Sequence, residues 1–229
     1  MKKTTLCITT LLFISITWFF TASQLSAGLD QGTISSGLKE ALSMSTERAI
    51  AAVGRTDGFY GNQLIKILMP EKLRMVTDVL SKAGMKKQID AFILSMNRAA
   101  EKAAPKAASI FIDAIKGMNM GDAQKILNGG DTAATDFFKE KTAKNIYDAF
   151  KPIITASLGQ AGTTQQFNNI MNKAKALPLM GNVSFDLDDY VTKKATGGLF
   201  LMLGQQEKNI RTNPAARSTE LLKTVFGKH

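Results

Sequence analysis

The chain has 229 residues, of which 45% are hydrophobic, and it carries 29 Lys and Arg against 19 Asp and Glu, a formal net charge of +10. Its length suits one domain with a sizeable core, and its charge favours anionic partners. The single cysteine excludes an internal disulfide bond. With one histidine, His229, and one cysteine, the chain offers little for zinc sites built on His or Cys or for Ser-His and Cys-His nucleophile pairs.

The first 27 residues have the layout of a secretory signal peptide. Two lysines precede an apolar run over residues 6–20, and the small residue Ala27 suits cleavage behind it. The run is shorter than the roughly 18 to 20 residues of a comfortable membrane span, so an uncleaved anchor is the less favoured alternative. We expect residues 1–27 to be a signal peptide and residues 28–229 to form a single helical domain.

Cleavage would leave a cysteine-free mature chain, because Cys7 and Trp18 both lie in the predicted signal peptide. The mature chain keeps 27 basic and 19 acidic residues, a formal charge of +8. In a cell envelope this charge favours lipid headgroups or acidic polysaccharide and not nucleic acid. Ten methionines and ten phenylalanines remain, which either fill a helical core or line a pocket for an acyl chain.

Apolar residues recur at the spacing of an α-helix from residue 36 onward. The segments with this spacing cover residues 36–53, 70–83, 89–100, 110–118, 122–127, 132–158, 164–174, 186–210 and 215–226. We therefore predict an all-α fold, a single compact domain of about eight or nine helices.

Turn-forming residues mark the breaks in this pattern. Residues 54–63 hold three glycines with Asp and Asn, which favours repeated turns. The apolar stretch 64–68 suits a short strand or an extended connector. Pro70 is expected to open a helix and Pro105 to kink or restart one.

Two further features concern helix ends. Asp131 or Thr132 is expected to cap the helix that follows a Gly-Gly turn. Gly197 and Gly198 lie in the middle of the long helical segment near the carboxyl end. They either mark a close contact with another helix or split the segment in two.

Seven short phrases occur in order along the chain. They read GLKEAL from residue 37, DGFYGN from 57, SMNRAAE from 95, GGDTAAT from 129, DDYVT from 188, GLFLM from 198 and RTNP from 211. Together they resemble the bacterial domain-of-unknown-function family 4197, over nearly all of the mature chain. The resemblance implies an exported, periplasmic helical protein of Gram-negative bacteria, and it supplies no catalytic residue.

Glu101 is the first candidate for a catalytic residue. Arg98 lies three residues earlier on the same helix face, and one acidic catalyst in a helical envelope protein is similar to the arrangement in lytic transglycosylases. The chain lacks the Glu-Ser pair and the glycine-containing phrase of those enzymes. A local ion pair is the simpler interpretation, because geometry decides whether a carboxyl group is a general acid.

Other polar residues of the seven phrases are candidates for binding a ligand. They are Asn97, Arg98, Asp131, Tyr190 and Arg211. No cofactor is predicted.

A cluster of acidic residues precedes the long carboxyl-terminal helix. Asp186, Asp188 and Asp189, with Asn182 nearby, are weak candidates for binding Ca²⁺, but their spacing is not that of an EF-hand. Asp186 or Asp188 at a helix start is favoured by the helix dipole without any metal.

The favoured function is non-enzymatic binding of a periplasmic envelope component, either a lipid or other amphiphile or an anionic ligand, with the membrane contacted only through the signal segment. A carboxylate-dependent hydrolase or lyase of cell-wall glycan is one alternative. A module that binds another envelope protein through an exposed helix face is the other.

Overall fold

The computed structural model describes residues 31–175 and 185–217, together with residues 219 and 223. Within these ranges all regular structure is helical and no strand is present, so the all-α fold class is confirmed. The predicted signal peptide lies outside the described residues, as does most of the helix predicted for residues 215–226.

Eight stretches of α-helix follow one another in the described residues. They are α1 (Gln31–Gly54), α2 (Glu71–Leu80), α3 (Lys86–Ala103), α4 (Ala107–Lys116), α5 (Met120–Leu127), α6 (Ala133–Gln160), α7 (Thr163–Lys175) and α8 (Leu187–Thr212). No loop separates α2, α3 and α4, so the part of the chain that is described forms six uninterrupted helical segments. The predicted number of eight or nine helices is therefore not confirmed.

Two joints change the helix direction inside the segment formed by α2, α3 and α4. A five-residue π-turn, Ser81–Met85, joins α2 to α3, and Gly84 within it has a φ of 90°, which residues with a side chain rarely adopt. A 3₁₀ turn, Ala104–Lys106, joins α3 to α4. Pro105 lies in this turn and has no N–H to donate to the carbonyl of Glu101 one turn earlier, which favours a break in the α-helical pattern at this point. Both joints bend the chain without a loop, which is why fewer separate helices result than the breaks in the sequence pattern suggested.

The centre of the fold is the pair α6 and α8, which pack along each other. Helices α3 and α4 pack on α6, and α1 packs on α8 and α4. Phenylalanine rings fill the core between them, and Phe111 meets Phe138 edge to face with 5.0 Å between ring centroids. None of the helices in the described ranges is long and apolar enough to span a membrane.

The adjacent glycines of α8 do not interrupt the helix. Gly198 lies against the side chain of Phe59, such that a Cβ atom at Gly198 would be 2.7 Å from Cε1 of that ring. Gly197 has nothing within 4 Å of the corresponding position. The segment is therefore not split, and the close contact of Gly198 is with a loop residue instead of the predicted contact with another helix.

Candidate functional site

The loop over residues 55–69, between α1 and α2, is the longest connection among the described helices and contains the phrase DGFYGN. Two internal hydrogen bonds of 2.9 Å close its turns, from Gly58 N to Arg55 O and from Gly61 N to Asp57 O. Phe59 is fully buried at its centre. The rest of the loop is positioned by side chains of α3 and α8.

Asn97 of α3 makes hydrogen bonds to both backbone groups of one loop residue, Ile67. Its Oδ1 accepts the N–H of Ile67 and its Nδ2 donates to the carbonyl of Ile67, both at 2.8 Å. Nδ2 also donates to the carbonyl of Ile93 at 2.7 Å, and the side chain is fully buried. Residues 64–68 do not form the strand: residues 64 and 65 lie in a turn, and residues 66–68 form a connector without regular structure. The Asn97 amide binds both backbone groups of Ile67, as the backbone of an adjacent strand does in a β-sheet.

Glu101 lies one helical turn after Asn97 and holds the beginning of the loop. Its Oε1 accepts the N–H groups of Phe59 and Tyr60, each at 3.1 Å, and its Oε2 accepts Nη1 of Arg98 at 2.6 Å. The residue is only 4% exposed. A general acid or base needs a carboxyl oxygen within reach of its substrate. Because both oxygens of Glu101 have partners in the fold, the geometry supports a structural role.

Arg98 connects this buried carboxylate to the surface. Its side chain is 39% exposed, and Nη2 donates to Oδ1 of Asp57 at 2.7 Å. The hydrogen bond to Glu101, assisted by the one to Asp57, raises the pKa of Arg98 above its ordinary value. The guanidinium is therefore a fixed positive charge at the edge of the loop.

Two cationic side chains of this region, Lys66 and Arg98, lie near the ring of Tyr60. Nζ of Lys66 lies 3.9 Å from the centroid of the Tyr60 ring, and Cζ of Arg98 lies 6.0 Å from it. Both are cation–π distances. We call Tyr60, Lys66 and Arg98 the Tyr60 cluster.

Tyr190, from the first turn of α8, holds the far end of the loop. Its hydroxyl donates to the carbonyl of Leu68 at 2.8 Å, and its ring lies 5.4 Å from that of Phe185. Burial, with a smaller contribution from the charge of Glu71, raises the pKa of the Tyr190 phenol. Asn97, Arg98 and Tyr190 therefore contact the same loop from two different helices.

The Tyr190→Phe variant is expected to lose about 0.5–1.5 kcal/mol of unfolding free energy at neutral pH, because one hydrogen bond is removed. The native pKa of Tyr190 is raised above the unfolded value of about 10, so its contribution is complete below that pH and is lost as the pH rises through the native pKa. Urea unfolding of both proteins at pH 8 and at several values above 10 measures the difference. A difference that does not shrink with rising pH would contradict the assignment.

The other two binding candidates lie far from this loop. Tyr190 and Arg211 stand near opposite ends of α8, and 21 residues of helix separate them by about 30 Å. Oδ2 of Asp131 lies 3.6 Å from Nζ of Lys208. Asp131 and Arg211 line the same open groove, which has a volume of about 360 Å³. The five predicted binding residues therefore form two separate groups.

Glu207 is the central residue of this second group, and the sequence analysis did not identify it. Its oxygens accept the N–H groups of Ala134 and Thr135, both at 2.8 Å, at the start of α6. Arg211 Nε donates to the same carboxylate at 3.0 Å. Thr132 stands at the N-cap position but makes no capping hydrogen bond, so the predicted cap by Asp131 or Thr132 is wrong.

Each of the two groups contains a Glu and an Arg that lie one turn apart on the same helix. Glu101 is paired with Arg98 and Glu207 with Arg211. In each case the carboxylate is buried and also accepts two backbone N–H groups. The spacing alone does not identify a buried anchor, because Glu71 and Arg74 of α2 have the same spacing and both are exposed.

The acidic residues at the start of α8 have separate partners. Asp186 caps the helix by accepting the N–H of Asp189 at 2.9 Å, as predicted, and Asp188 accepts a threonine hydroxyl of α6. Hydrogen bonds from a lysine of α8 and from Tyr147 lower the pKa of Asp189. Asn182 lies outside the described residues. Within the ranges that are described, no three or more His, Cys, Asp or Glu side chains are grouped so as to hold a metal ion.

The enclosed apolar space of the fold is small. The cavity between α1, α6 and α8, lined by Leu38, Leu42, Phe138 and neighbouring residues, has a volume of about 20 Å³. Pockets that enclose small molecules usually have about 300–1,000 Å³. Spaces of about 360–440 Å³ are open grooves at the surface. The described phenylalanines and most of the described methionines therefore fill a core, whereas Met75 and Met120 are exposed.

The fold and its anchors define an all-helical protein in which buried carboxylates fix one long loop and one helix start. The family described as Protein of unknown function (DUF4197) matches residues 28–227. The chain therefore belongs to this family, and the resemblance carried by the seven phrases is confirmed. No curated protein and no solved structure matches the chain.

Proposed function

We propose that the protein is exported to the periplasm and binds an anionic component of the cell envelope at the Tyr60 cluster, without catalysing a reaction. The observation that carries the proposal is the position of Lys66, whose ammonium group lies over Tyr60 and pairs with no carboxylate of the described residues. An ammonium group without a partner is available to a phosphate or a carboxylate of a ligand.

The anchoring of the loop supports a binding role for this surface. Asn97 and Glu101 fix the backbone on either side of Tyr60 and Lys66 with buried hydrogen bonds. A ligand would therefore meet side chains on a backbone that is already ordered, which lowers the entropy cost of binding. The charge of Arg98 is balanced by the carboxylates of Glu101 and Asp57, which leaves Lys66 as the cationic group for direct contact with a ligand.

Export is supported by the signal-like sequence and by the extent of the family. The match begins at residue 28, directly after the predicted signal peptide. The region that follows keeps a formal charge of +8. In the periplasm the abundant anionic partners are lipid headgroups and acidic polysaccharides, in line with the sequence-based expectation.

The geometry gives less support to the other functions. A cavity of about 20 Å³ does not hold an acyl chain, which argues for binding at the surface and against an enclosed lipid site. A glycan hydrolase or lyase would need a free carboxyl oxygen on Glu101, and both of its oxygens are bound.

The experiment compares two sources of negative charge. The full chain is expressed, and its exported form is purified and mixed at low salt with phosphatidylglycerol-containing vesicles or with heparin as a soluble acidic polysaccharide. Binding to at least one of them is expected. Lys66→Glu should weaken it about fivefold or more, because a single lysine near an anionic surface contributes roughly 1 kcal/mol.

Lys116→Glu on α4 is the matched control, since it makes the same charge change at an exposed residue outside the cluster. It should weaken binding much less. Absence of binding to both probes, or equal weakening by the two variants, would contradict the proposal.

A further inference from the structure

Exposed apolar side chains are concentrated on α2 and on the end of the loop that precedes it. Seven large hydrophobic side chains are well exposed in the described residues, and four of them fall within residues 64–79. These four are Leu64 (65% exposed), Leu68 (51%), Met75 (68%) and Val79 (45%). The other three lie on α4, α5 and α8. Clustered apolar exposure of this kind marks an interaction surface.

The shape of this surface differs from that of a ligand pocket. Met75 and Val79 are one helical turn apart on the outer face of α2, while Leu73 and Leu80 are buried on its inner face. No other described helix packs extensively against α2. The four exposed residues line none of the grooves described above. Glu71, Arg74 and Asp78 of α2 are exposed together with Met75 and Val79, so the outer face of this helix carries apolar and charged side chains side by side.

Positive charge surrounds this apolar surface. Residues 64–90 contain six Lys or Arg and three Asp or Glu, a formal charge of +3 in 27 residues, and one of the lysines, Lys86, pairs with Asp90 at 2.7 Å. Lysine and arginine stems lie along apolar surface while their charged ends stay in water. Exposed apolar side chains beside a surplus of basic residues suit the interface of an anionic membrane.

We infer that α2 and residues 64–68 dock the protein onto the surface of an anionic phospholipid bilayer. This inference rests on the proposed function and names the bilayer as the anionic partner. Leu64, Leu68, Met75 and Val79 enter the boundary between headgroups and acyl chains, and the Tyr60 cluster lies at the phosphates. The ten residues of α2 span about 15 Å, so one short helix lies flat in the interface. This extends the sequence-based expectation, which limited membrane contact to the signal segment.

A single tryptophan tests the inference directly. The exported form has lost Trp18 when its mass shows cleavage, so Met75→Trp provides the one indole of the protein. Its fluorescence is expected to shift to the blue with phosphatidylglycerol-containing vesicles and to stay unchanged with pure phosphatidylcholine vesicles. Leu201→Trp on α8, which replaces a residue that is also partly exposed, is the matched control and should not shift.

Removal of the apolar side chains provides a second measurement. The double variant Leu68→Ser, Met75→Ser is expected to weaken vesicle binding at least tenfold and to remove the part that resists 0.5 M NaCl. Leu201→Ser should leave both unchanged. Both positions of the double variant are more than half exposed, so the fold is expected to persist, which circular dichroism checks.

The outcomes separate this inference from the proposed function. Vesicle binding that salt fully reverses, with no shift of Met75→Trp, would overturn the docking and leave the binding of anions intact. Binding to heparin alone would do the same. A blue shift without vesicles, together with a dimer in sedimentation, would assign the surface to a second copy of the chain and overturn the inference. Absence of binding to every anionic probe would overturn both.

Discussion

The Glu207→Ala variant is expected to lose about 3–5 kcal/mol of unfolding free energy, the range found when one partner of a buried ion pair is removed. The change would leave the N–H groups of Ala134 and Thr135 without an acceptor. It would also leave the Arg211 side chain, which is 11% exposed, without its carboxylate. Each unmet buried polar group costs about 1–3 kcal/mol. Urea unfolding followed by circular dichroism measures the loss as a lower midpoint.

Glu140→Ala is the matched control for this prediction. Glu140 lies on α6, the helix whose start Glu207 binds, but its side chain is 76% exposed and pairs with the neighbouring Lys141. Its removal should change the unfolding free energy by less than about 0.5 kcal/mol. The loss of unfolding free energy for Glu207→Gln should lie between those for Glu207→Ala and Glu140→Ala, because the amide keeps one oxygen acceptor and loses the charge opposite Arg211. A loss below about 1 kcal/mol for Glu207→Ala would show that α6 does not depend on this anchor.

The second large effect is expected at Gly198 on α8. A Cβ atom there would be 2.7 Å from Cε1 of Phe59 and 3.2 Å from Cβ of Ile65. Phe59 is fully buried, and its backbone is bound to Glu101, so its ring has little room to move. Gly198→Ala should therefore lose about 1–3 kcal/mol of unfolding free energy, as overpacked cores do. Gly198→Val should lose more.

The neighbouring glycine provides the control. Gly197 has nothing within 4 Å of a Cβ atom, so Gly197→Ala should gain up to about 1 kcal/mol from the better helix propensity of alanine. Two adjacent glycines in one helix are thus expected to respond with opposite signs. If both variants were stabilised, the contact between α8 and the ring of Phe59 would be refuted.

Local features of the fold were predictable from the sequence. The 3.6-residue period of apolar residues located the helices, since side chains three and four positions apart share a helix face. Asp186 or Asp188 was expected at a helix start because the helix dipole favours acidic residues there, and the structure shows that Asp186 is the cap, accepting an N–H group three residues away. Gly84 allows the positive φ of the first joint, and Pro105, whose ring fixes φ and which has no N–H, lies in the second. Their effect on the number of helices did not follow, because a bend need not create a loop.

The candidate site was predictable only in part. Glu101 and Arg98 were identified as a pair on one helix face, and the structure joins them at 2.6 Å. The role of this pair could not be predicted, because it depends on which groups bind the other oxygen of the Glu101 carboxylate. Glu207 was missed for the same reason. The start of α6 offers Asp131 and Thr132 as local caps, and nothing in the sequence indicates that a distant carboxylate is used instead.

The sequence by itself determined the helical class, the family, the excess of positive charge and the breaks between most helices. Tertiary structure alone decided that Glu101 binds a loop 42 residues away and Glu207 a helix start 73 residues away. It also separated the predicted binding residues into two groups and placed Lys66 over Tyr60. The physical reason is the range of the interactions. Helix periodicity and caps act between residues within one turn, whereas a buried carboxylate takes its partners from whichever backbone the packing brings to it.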